Sequence, residues 1–207
     1  SMYAEYAPCQ YNDSIFFFAG VRPLDAKLAD TSFIYANYLT RVIQATRRND
    51  STWSNVKVVS SLIDPNAHVN NLSFTRDGKT AYFSKCFGYN CSIYKADFDP
   101  KFLDFSNVTK LTAPINMAQT SNTTPQIAYT SQGDYLFFAS NRKGTKGGYD
   151  IWYASIDSSG NIGSVQNCGK NVNTIGDEVT PFYDARDSLL YFSSEWHTTL
   201  GGFDIFS

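Results

Sequence analysis

Histidine and cysteine are scarce in this sequence, which contains 2 His and 4 Cys among its 207 residues. A zinc site takes about four such ligands held close together, and the chain does not group them in that way. A nucleophilic serine in a G-x-S-x-G turn is also missing. We therefore predict no metal site, no cofactor and no catalytic residues, and we expect the protein not to be an enzyme.

Long apolar runs and an excess of charge of one sign are missing too. The apolar stretch IFFFAGV at 15–21 is far shorter than the roughly 18 residues that a membrane-spanning helix needs, so we expect no direct membrane insertion. A net charge of −2 gives no general attraction to nucleic acid, and we expect none to bind. The length is sufficient to bury a substantial core in one domain.

Aromatic residues, in contrast, are abundant: the chain has 16 Phe and 14 Tyr. Aromatic and β-branched residues favour the half-buried surface of a sheet, so the composition favours strands. No stretch has a convincing helical period. Residues 36–48 come closest, but their β-branched residues favour strand and loop.

A hairpin-like unit recurs along the chain. Each copy has an extended start, a polar turn, and an apolar run with two adjacent aromatic residues. The aromatic pairs are Phe17-Phe18, Tyr82-Phe83, Phe137-Phe138 and Tyr191-Phe192. A second signature follows in each copy, at residues 32–38 (SFIYANY), 91–98 (CSIYKADF), 149–156 (YDIWYASI) and 203–207 (FDIFS). Two independent signatures with one period of roughly 55 residues indicate an internal repeat.

The repeat predicts an all-β fold. Each unit contains a hairpin, a third run and a weaker fourth run, which is typical of a four-stranded blade of a β-propeller. Blades stacked around an axis bury both faces of each sheet, which explains why YLFFA at 135–139 is apolar at nearly every position. We predict one propeller domain over residues 1–207, with at least four four-stranded antiparallel blades. Their approximate bounds are residues 7–59, 71–112, 124–169 and 180–207.

The fourth copy reaches only its third strand, so we expect the last blade to be incomplete. Three explanations are open: the N-terminus supplies the missing strand, further blades follow, or the chain was cut by proteolysis. We favour a piece excised from a longer multidomain protein, which the resemblance described next implies to be an envelope protein.

The third and fourth copies resemble a known family. Residues 124–157, TPQIAYTSQGDYLFFASNRKGTKGGYDIWYASID, are similar to the WD-repeat-like unit of TolB-type propellers. Residues 167–206 resemble periplasmic proteins of the Bacteroidetes that carry such a propeller ahead of an OmpA-like peptidoglycan-binding domain. The first two copies depart from the pattern, since FGYNC at 87–91 replaces the glycine-rich loop and copy one lacks Asp-Gly.

The resemblance implies a periplasmic protein that is associated with the outer membrane in its full-length form. It would act as a non-enzymatic interaction scaffold in a secretion or outer-membrane assembly such as the type IX secretion system. The expected partners are other envelope or secretion-system proteins, with peptidoglycan contacted only through a domain outside this chain. Two alternatives stay open: a carbohydrate-active or glycan-binding propeller, and TolB-like capture of a peptide over the central channel.

Loops on one face of the propeller supply the candidate binding residues. The loop between the second and third strands of a blade opens on the same face as the connection to the next blade. Loops on a rigid scaffold often carry binding sites, and an exposed Trp suits a protein hot spot. The candidate partner-binding residues are Arg142, Lys143, Asp177, Glu178, Glu195, Trp196 and His197.

Other residues of these loops are predicted to have structural roles, because Gly supplies positive φ angles and Asp accepts local backbone N–H bonds. The predicted turn residues are Gly147, Gly148, Asp150, Gly201, Gly202 and Asp204, and Arg142 is a candidate to pair with Asp150.

Cys86 and Cys91 flank a turn-like tetrapeptide. They either form a small disulfide, which is typical of an oxidising compartment, or remain two thiols. Cys9 and Cys168 lie in different copies, so we expect no bond between them.

Overall fold

The computed structural model describes residues 4–23, 38–50, 52–198 and 200–207. These residues form four antiparallel sheets in which neighbouring strands follow one another in sequence. Blade 1 comprises β1 (Glu5–Gln10), β2 (Ile15–Pro23), β3 (Tyr38–Asn49) and β4 (Thr52–Val58), and blade 2 comprises β5 (His68–Phe74), β6 (Thr80–Phe87), β7 (Asn90–Asp99) and β8 (Asp104–Lys110). Blade 3 comprises β9 (Asn122–Thr130), β10 (Gly133–Ser140), β11 (Asp150–Ile156) and β12 (Gln166–Asn167), and blade 4 comprises β13 (Glu178–Asp184), β14 (Leu189–Ser194) and β15 (Asp204–Phe206).

The chain is therefore an all-β propeller with four blades, of which the last has three strands, and the predicted fold class is confirmed. A short 3-10 helix, Ser60–Leu62, links blades 1 and 2. Within the described ranges, no helix is long and apolar enough to cross a membrane.

The two adjacent aromatic residues of each second strand serve different interfaces, because neighbouring residues of a strand point to opposite faces of the sheet. The first faces the next blade and the second faces the preceding one. Phe83 packs with Phe17 in the cluster between blades 1 and 2, whereas Tyr82 packs with Phe138 in the cluster between blades 2 and 3. Each pair of adjacent aromatic residues thus indicates two interfaces, one on either face of the blade.

Three hydrophobic clusters fill the blade interfaces in order along the chain. In the first, the ring centroid of Phe17 lies 5.5 Å from that of Phe74 and 5.8 Å from that of Phe98. Among the residues that the structure describes, no such cluster joins blade 4 to blade 1. Phe18 and Tyr191, whose side chains point to these two open sides, are partly exposed as a result.

Every inner strand has a β-bulge at which a residue other than glycine adopts a left-handed conformation. The φ angle is 51° at Ala7, 56° at Asn71, 50° at Thr124 and 51° at Thr180. The strand register shifts at each of these points. Because a bulge bends its strand and increases the local twist, the four inner strands curve alike around the axis.

Beyond the bulges, single side chains link neighbouring inner strands. Ser73 Oγ accepts the N–H of Ile127 at 2.8 Å, and Gln126 Oε1 accepts the N–H of Tyr183 at 3.2 Å. The two bonds occupy equivalent positions relative to the bulges, so they repeat from blade to blade. They link the inner strands of neighbouring blades next to the axis.

The third strand of blade 1 differs from the repeat alignment. The second signature of copy one, residues 32–38, lies outside the described residues except for Tyr38. The strand that pairs with β2 is Tyr38–Asn49, and within it Val42 takes the register position that Ile93 takes in blade 2. The prediction of strand rather than helix for residues 36–48 holds from Tyr38 onward.

Phe83 tests the packing between blades. Its side chain is fully buried between blades 1 and 2, so Phe83→Ala removes apolar contacts and leaves a cavity. We expect the free energy of unfolding to fall by about 3–5 kcal/mol, as measured by urea denaturation followed by circular dichroism. The control Phe87→Ala, at an exposed position of the same strand, should change it by less than about 0.5 kcal/mol. Equal losses in the two variants would contradict the described interface.

Candidate functional site

The loops between second and third strands and the connections between blades form one face, which we call the loop face. As far as the structure describes them, the loops are residues 88–89, 141–149, 195–198 and 200–203, and the connections are 59–67, 111–121 and 168–177. Hydrogen bonds join the two kinds of segment. The Ser121 hydroxyl donates to the carbonyl of Tyr89, and the N–H of Tyr149 donates to the Asp177 carboxylate at 2.6 Å.

Arg142 is buried in the loop face rather than presented to a partner. Its guanidinium donates to the carbonyl oxygens of Pro114 at 3.0 Å and Ile115 at 2.6 Å, and to Asn122 Oδ1 at 3.0 Å. The same group lies over the ring of Phe138, and burial lowers the pKa of Arg142 to about 10. Arg142 therefore ties the connection between blades 2 and 3 to blade 3.

Glu178 and Asp177 also have internal partners. Glu178 is fully buried and accepts the N–H of Thr174 and the hydroxyl of Ser194, each at 2.8 Å. Asp177 holds the loop of blade 3 through its bond with Tyr149. Glu178 thus shapes the loop face from within, and its carboxylate is not available to a partner.

The remaining predicted binding residues differ in exposure. His197 is partly buried: its ring lies 4.9 Å from that of Phe206, and its Nε2 lies 3.0 Å from the carbonyl oxygen of Val172. It belongs to the packing of blade 4. The exposed members of the predicted set are Lys143, Glu195 and Trp196. For these three, a contact with a partner stays a prediction.

The glycine-rich loop of blade 3 packs directly on the next connection. A Cβ atom on Gly147 would collide with backbone oxygens of residues 168–177, and one on Gly148 would collide with a carboxylate of the same segment. Glycine is required here by close approach. Gly201 and Gly202 of blade 4 have open space around them instead.

Asp150 and Asp204 begin the third strands of blades 3 and 4 and close the loops before them. Each accepts a backbone N–H from four residues earlier, Asp150 from Lys146 and Asp204 from Leu200. The predicted pairing of Arg142 with Asp150 is wrong. The guanidinium of Arg142 instead donates to acceptors in residues 114–122.

Cys86 and Cys91 are joined by a disulfide, with their sulfur atoms 2.08 Å apart, at the end of the β6–β7 hairpin. The bridge closes a loop of few residues whose tip, Tyr89, is 97% exposed. Cys9 and Cys168 are free thiols in different blades.

Large apolar side chains are exposed at two corners of the loop face, and we call them together the apolar rim. At the corner of blades 2 and 3 they are Phe87, Tyr89 and Met117, and at the corner of blades 3 and 4 they are Ile175, Trp196 and Leu200. Scattered exposed hydrophobic residues are ordinary, but a group of them on one face is typical of an interaction surface.

The opposite end of the axis contains a cavity of about 770 Å³, which we call the axial cavity. All four inner strands line it, together with the hairpin turns of blades 1, 2 and 4. The wall combines aromatic and polar side chains, among them Gln10, Tyr11, Arg76, Gln126 and Tyr183. Cavities of several hundred Å³ with such a lining are suited to ligands.

Two carboxylates, Asp77 and Asp184, line the axial cavity. A hydrogen bond from the Thr75 hydroxyl, with a second from a backbone N–H, holds the pKa of Asp77 below its usual range. Hydrogen bonds from Arg186 lower the pKa of Asp184 to about 2. Both carboxylates are therefore ionised at neutral pH, whereas the general acid of a glycosidase needs a raised pKa. No group of three or more His, Cys, Asp or Glu suited to a metal occurs in the described part of the chain.

Two asparagines with a repeated structural role escaped the sequence analysis. The carboxamide of Asn116 bonds to both the N–H and the carbonyl of Ile93, and that of Asn173 does the same for Ile151. A lone Asn in a loop carries little information. The signal was the interval between the two asparagines, which nearly equals the repeat period.

Comparison with known proteins supports the fold and goes no further. No model of a protein family and no curated protein sequence matches the chain. Among solved structures, the chain is similar to TolB from Acinetobacter baumannii, with a TM-score of 0.56 and 16% identity over 99% of this chain and 41% of that chain. It is also similar to an arabinanase from Bacillus subtilis (TM-score 0.59, 16% identity, 98% of this chain and 72% of that chain) and to a GH43 endo-arabinanase from Bacillus licheniformis (0.56, 16%, 98% and 72%). The chain spans less than half the length of that TolB, and at these identities the likeness shows the fold alone.

These structures contradict the prediction that the chain is not an enzyme. Several proteins that share the fold are glycoside hydrolases of family 43. The prediction rested on the absence of local catalytic motifs from the sequence. A propeller, however, can assemble a site from turns of several blades that lie far apart in the sequence, as the lining of the axial cavity shows.

Arg142 and its neighbour Lys143 separate an internal role from a surface role. Arg142→Ala leaves the carbonyl oxygens of Pro114 and Ile115 without this donor and removes one of the two donors to Asn122 Oδ1, so the free energy of unfolding should fall by about 2–4 kcal/mol. Lys143→Ala, at an exposed position, should change it by less than about 0.5 kcal/mol. Urea denaturation of both variants measures the difference. Similar stabilities would refute the internal role of Arg142.

The two free thiols should be unreactive in the native protein. Burial raises the pKa of Cys9 and of Cys168 to about 12 in each case, and the thiolate is the reactive form. At pH 8, alkylation by iodoacetamide should be slower than for a free thiol by about 100-fold or more. Mass spectrometry of timed samples measures the rate, with protein unfolded in guanidinium chloride as the control. Equally fast labelling of native and unfolded protein would show that these thiols are accessible.

Proposed function

We propose that this propeller is a protein-docking module of a bacterial cell-envelope assembly and that it binds its partner through the apolar rim. The observation that carries the proposal is the exposure of six large apolar side chains on one face. Tyr89 and Trp196 are aromatic anchors of the type that dominates protein interfaces. Partner binding would cover the rim and remove its apolar surface from water.

The loops that carry the rim are ordered by internal bonds before any partner arrives. The disulfide Cys86–Cys91 closes the hairpin that carries Tyr89. The N–H of Trp196 donates to the Ser194 hydroxyl, which in turn donates to the buried Glu178. A preordered loop loses less conformational entropy on binding, so more of the contact energy is available for affinity.

The envelope location is part of the proposal. A hairpin disulfide is typical of an oxidising compartment such as the periplasm. The sequence also resembles periplasmic propellers of the OmpA family. Within this proposal the partner is another envelope or secretion-system protein, in an assembly like that of PorE in the type IX secretion system. Any contact with peptidoglycan would come from a different domain.

Retention of partners from an envelope extract tests the rim. Immobilised protein, Trp196→Ala and Tyr89→Ala are incubated with solubilised envelope proteins of a Bacteroidetes bacterium, and retained proteins are quantified by mass spectrometry. Loss of one hot-spot side chain should lower recovery of the specific partner by about tenfold or more. Phe102→Ala, an exposed aromatic position in the β7–β8 turn at the other end of the molecule, should leave recovery unchanged. Unchanged recovery in both rim variants would remove the rim from the proposal.

A second candidate function is the binding of a glycan or a peptide in the axial cavity, and it is favoured by the size and the aromatic and polar lining of that cavity. Gln10→Arg distinguishes the two functions, because Gln10 is exposed in the cavity wall and the larger charged side chain would obstruct it. Recovery that is lost in Gln10→Arg and kept in Trp196→Ala would favour the cavity over the rim.

A further inference from the structure

A small pocket lies between the outer strands of blades 1 and 2, away from the axis, and we call it the inter-blade pocket. Its volume is about 180 Å³. Blade 1 and the connection after it contribute Gln44 and residues 57–60, and the β7–β8 turn of blade 2 contributes residues 102–104. The Ser61 hydroxyl oxygen accepts the N–H of Phe105 at 3.3 Å and so joins the two walls.

Gln44 places an unsatisfied acceptor in this pocket. The residue is only 1% exposed, and its Oε1 is buried with no hydrogen bond from any described residue. A buried acceptor without a donor is costly, and almost all such atoms in native proteins have a partner. Because Gln44 lines the inter-blade pocket, a ligand bound there is in position to supply the donor.

The position of Gln44 is distinctive among the repeats. It lies opposite the first aromatic residue of the pair in its blade, and Lys95 and Tyr153 take the same register position in blades 2 and 3. Both of those side chains are partly exposed, and the hydroxyl of Tyr153 bonds to Gln166 at 2.9 Å. An enclosed carboxamide at this position is thus a feature of the interface between blades 1 and 2.

Two opposite charges also line the inter-blade pocket. Lys57 lies directly opposite Gln44 in the β3–β4 pair, so the two side chains share one face of the sheet, and Asp104 belongs to the facing blade. Within the described ranges, neither Lys57 nor Asp104 forms an ion pair. Asp99 lies directly opposite Asp104 in the β7–β8 pair. Two carboxylates so placed repel each other, and a cation beside Asp104 would reduce that repulsion.

We propose that the inter-blade pocket binds a small zwitterion, a free α-amino acid with a small side chain such as alanine. The ammonium group of the ligand donates to Gln44 Oε1 and to the Asp104 carboxylate, and the carboxylate of the ligand accepts from the Lys57 ammonium. An ammonium has three donors and no acceptor, which suits two acceptor groups, and hydrogen bonds between charged groups are the strong ones.

The size of the pocket agrees with a ligand of this kind. At roughly 30 Å³ for each water molecule, the volume corresponds to about six waters, which is close to the number of non-hydrogen atoms in alanine. A simple amine would leave Lys57 without a partner, and a simple carboxylate would leave Gln44 and Asp104 without one. The pocket shares no residue with the apolar rim, so the inference does not depend on the proposed docking function.

Titration with L-alanine tests the site. The 207-residue protein, labelled with ¹⁵N, is titrated at pH 7 and followed by two-dimensional NMR. We expect saturable shifts of the Gln44 carboxamide signals and of the backbone amides of residues 102–105, with a dissociation constant below about 1 mM. Ethylamine and propionate each lack one of the two charges and should bind about tenfold more weakly or worse.

Three variants remove one pocket group each and should weaken alanine binding by about tenfold. Gln44→Leu removes the buried acceptor, Lys57→Met removes the ammonium at similar length, and Asp104→Asn removes the negative charge. Lys110→Met, at an exposed position of β8 outside the pocket, should stay within about threefold of the wild type. Circular dichroism checks folding, and since Lys57 and Asp104 are exposed, their variants test the site even where Gln44→Leu does not fold.

Three results would overturn the inference. The first is a dissociation constant for alanine above about 1 mM, or no saturable shift at all. The second is binding of ethylamine as tight as that of alanine, which would make the pocket a site for cations in general. The third is unchanged alanine affinity in both Lys57→Met and Asp104→Asn, which would place the bound amino acid elsewhere on the protein.

Discussion

Each sheet in this chain is apolar on both faces, so a blade is stable only with another surface packed on either side. Phe17 and Phe83 meet across one interface, and Tyr82 and Phe138 meet across the next. The paired aromatic residues, the repeat period and the order of the clusters all follow from this single requirement. The axis, with its bulged inner strands and its cavity, exists because the blades are stacked in this way.

The sequence predicted this architecture well because each interface between blades depends on a short pattern of apolar residues that recurs in every copy. It predicted less where polar residues are buried by partners distant in the chain. Arg142 and Glu178 looked like surface charges, but acceptors and donors from separate loops enclose them. In blade 1 the buried polar residues Arg41 and Gln44 interrupt the apolar pattern of β3, so a more apolar stretch upstream seemed the better match to the repeat.

The two ends of the axis have different chemical characters. The loop face exposes apolar side chains on loops that are fixed by a disulfide and by buried bonds. The opposite end has a polar and aromatic cavity in which hydrogen bonds from neighbouring turn residues hold Asp77 and Asp184 as carboxylates. The fold is shared with TolB and with arabinanases, so the function depends on what these ends bind and not on the architecture.

The left-handed residues of the inner strands have a consequence for anyone who would build a symmetric ring from one averaged repeat. None of the residues Ala7, Asn71, Thr124 and Thr180 is a glycine, yet all four have a positive φ angle of 50–56°. Averaging these positions would select threonine, which two of the four blades have, although a non-glycine residue in this conformation costs about 1–2 kcal/mol. A consensus propeller derived from these blades would have to specify that conformation explicitly, with glycine as the natural choice.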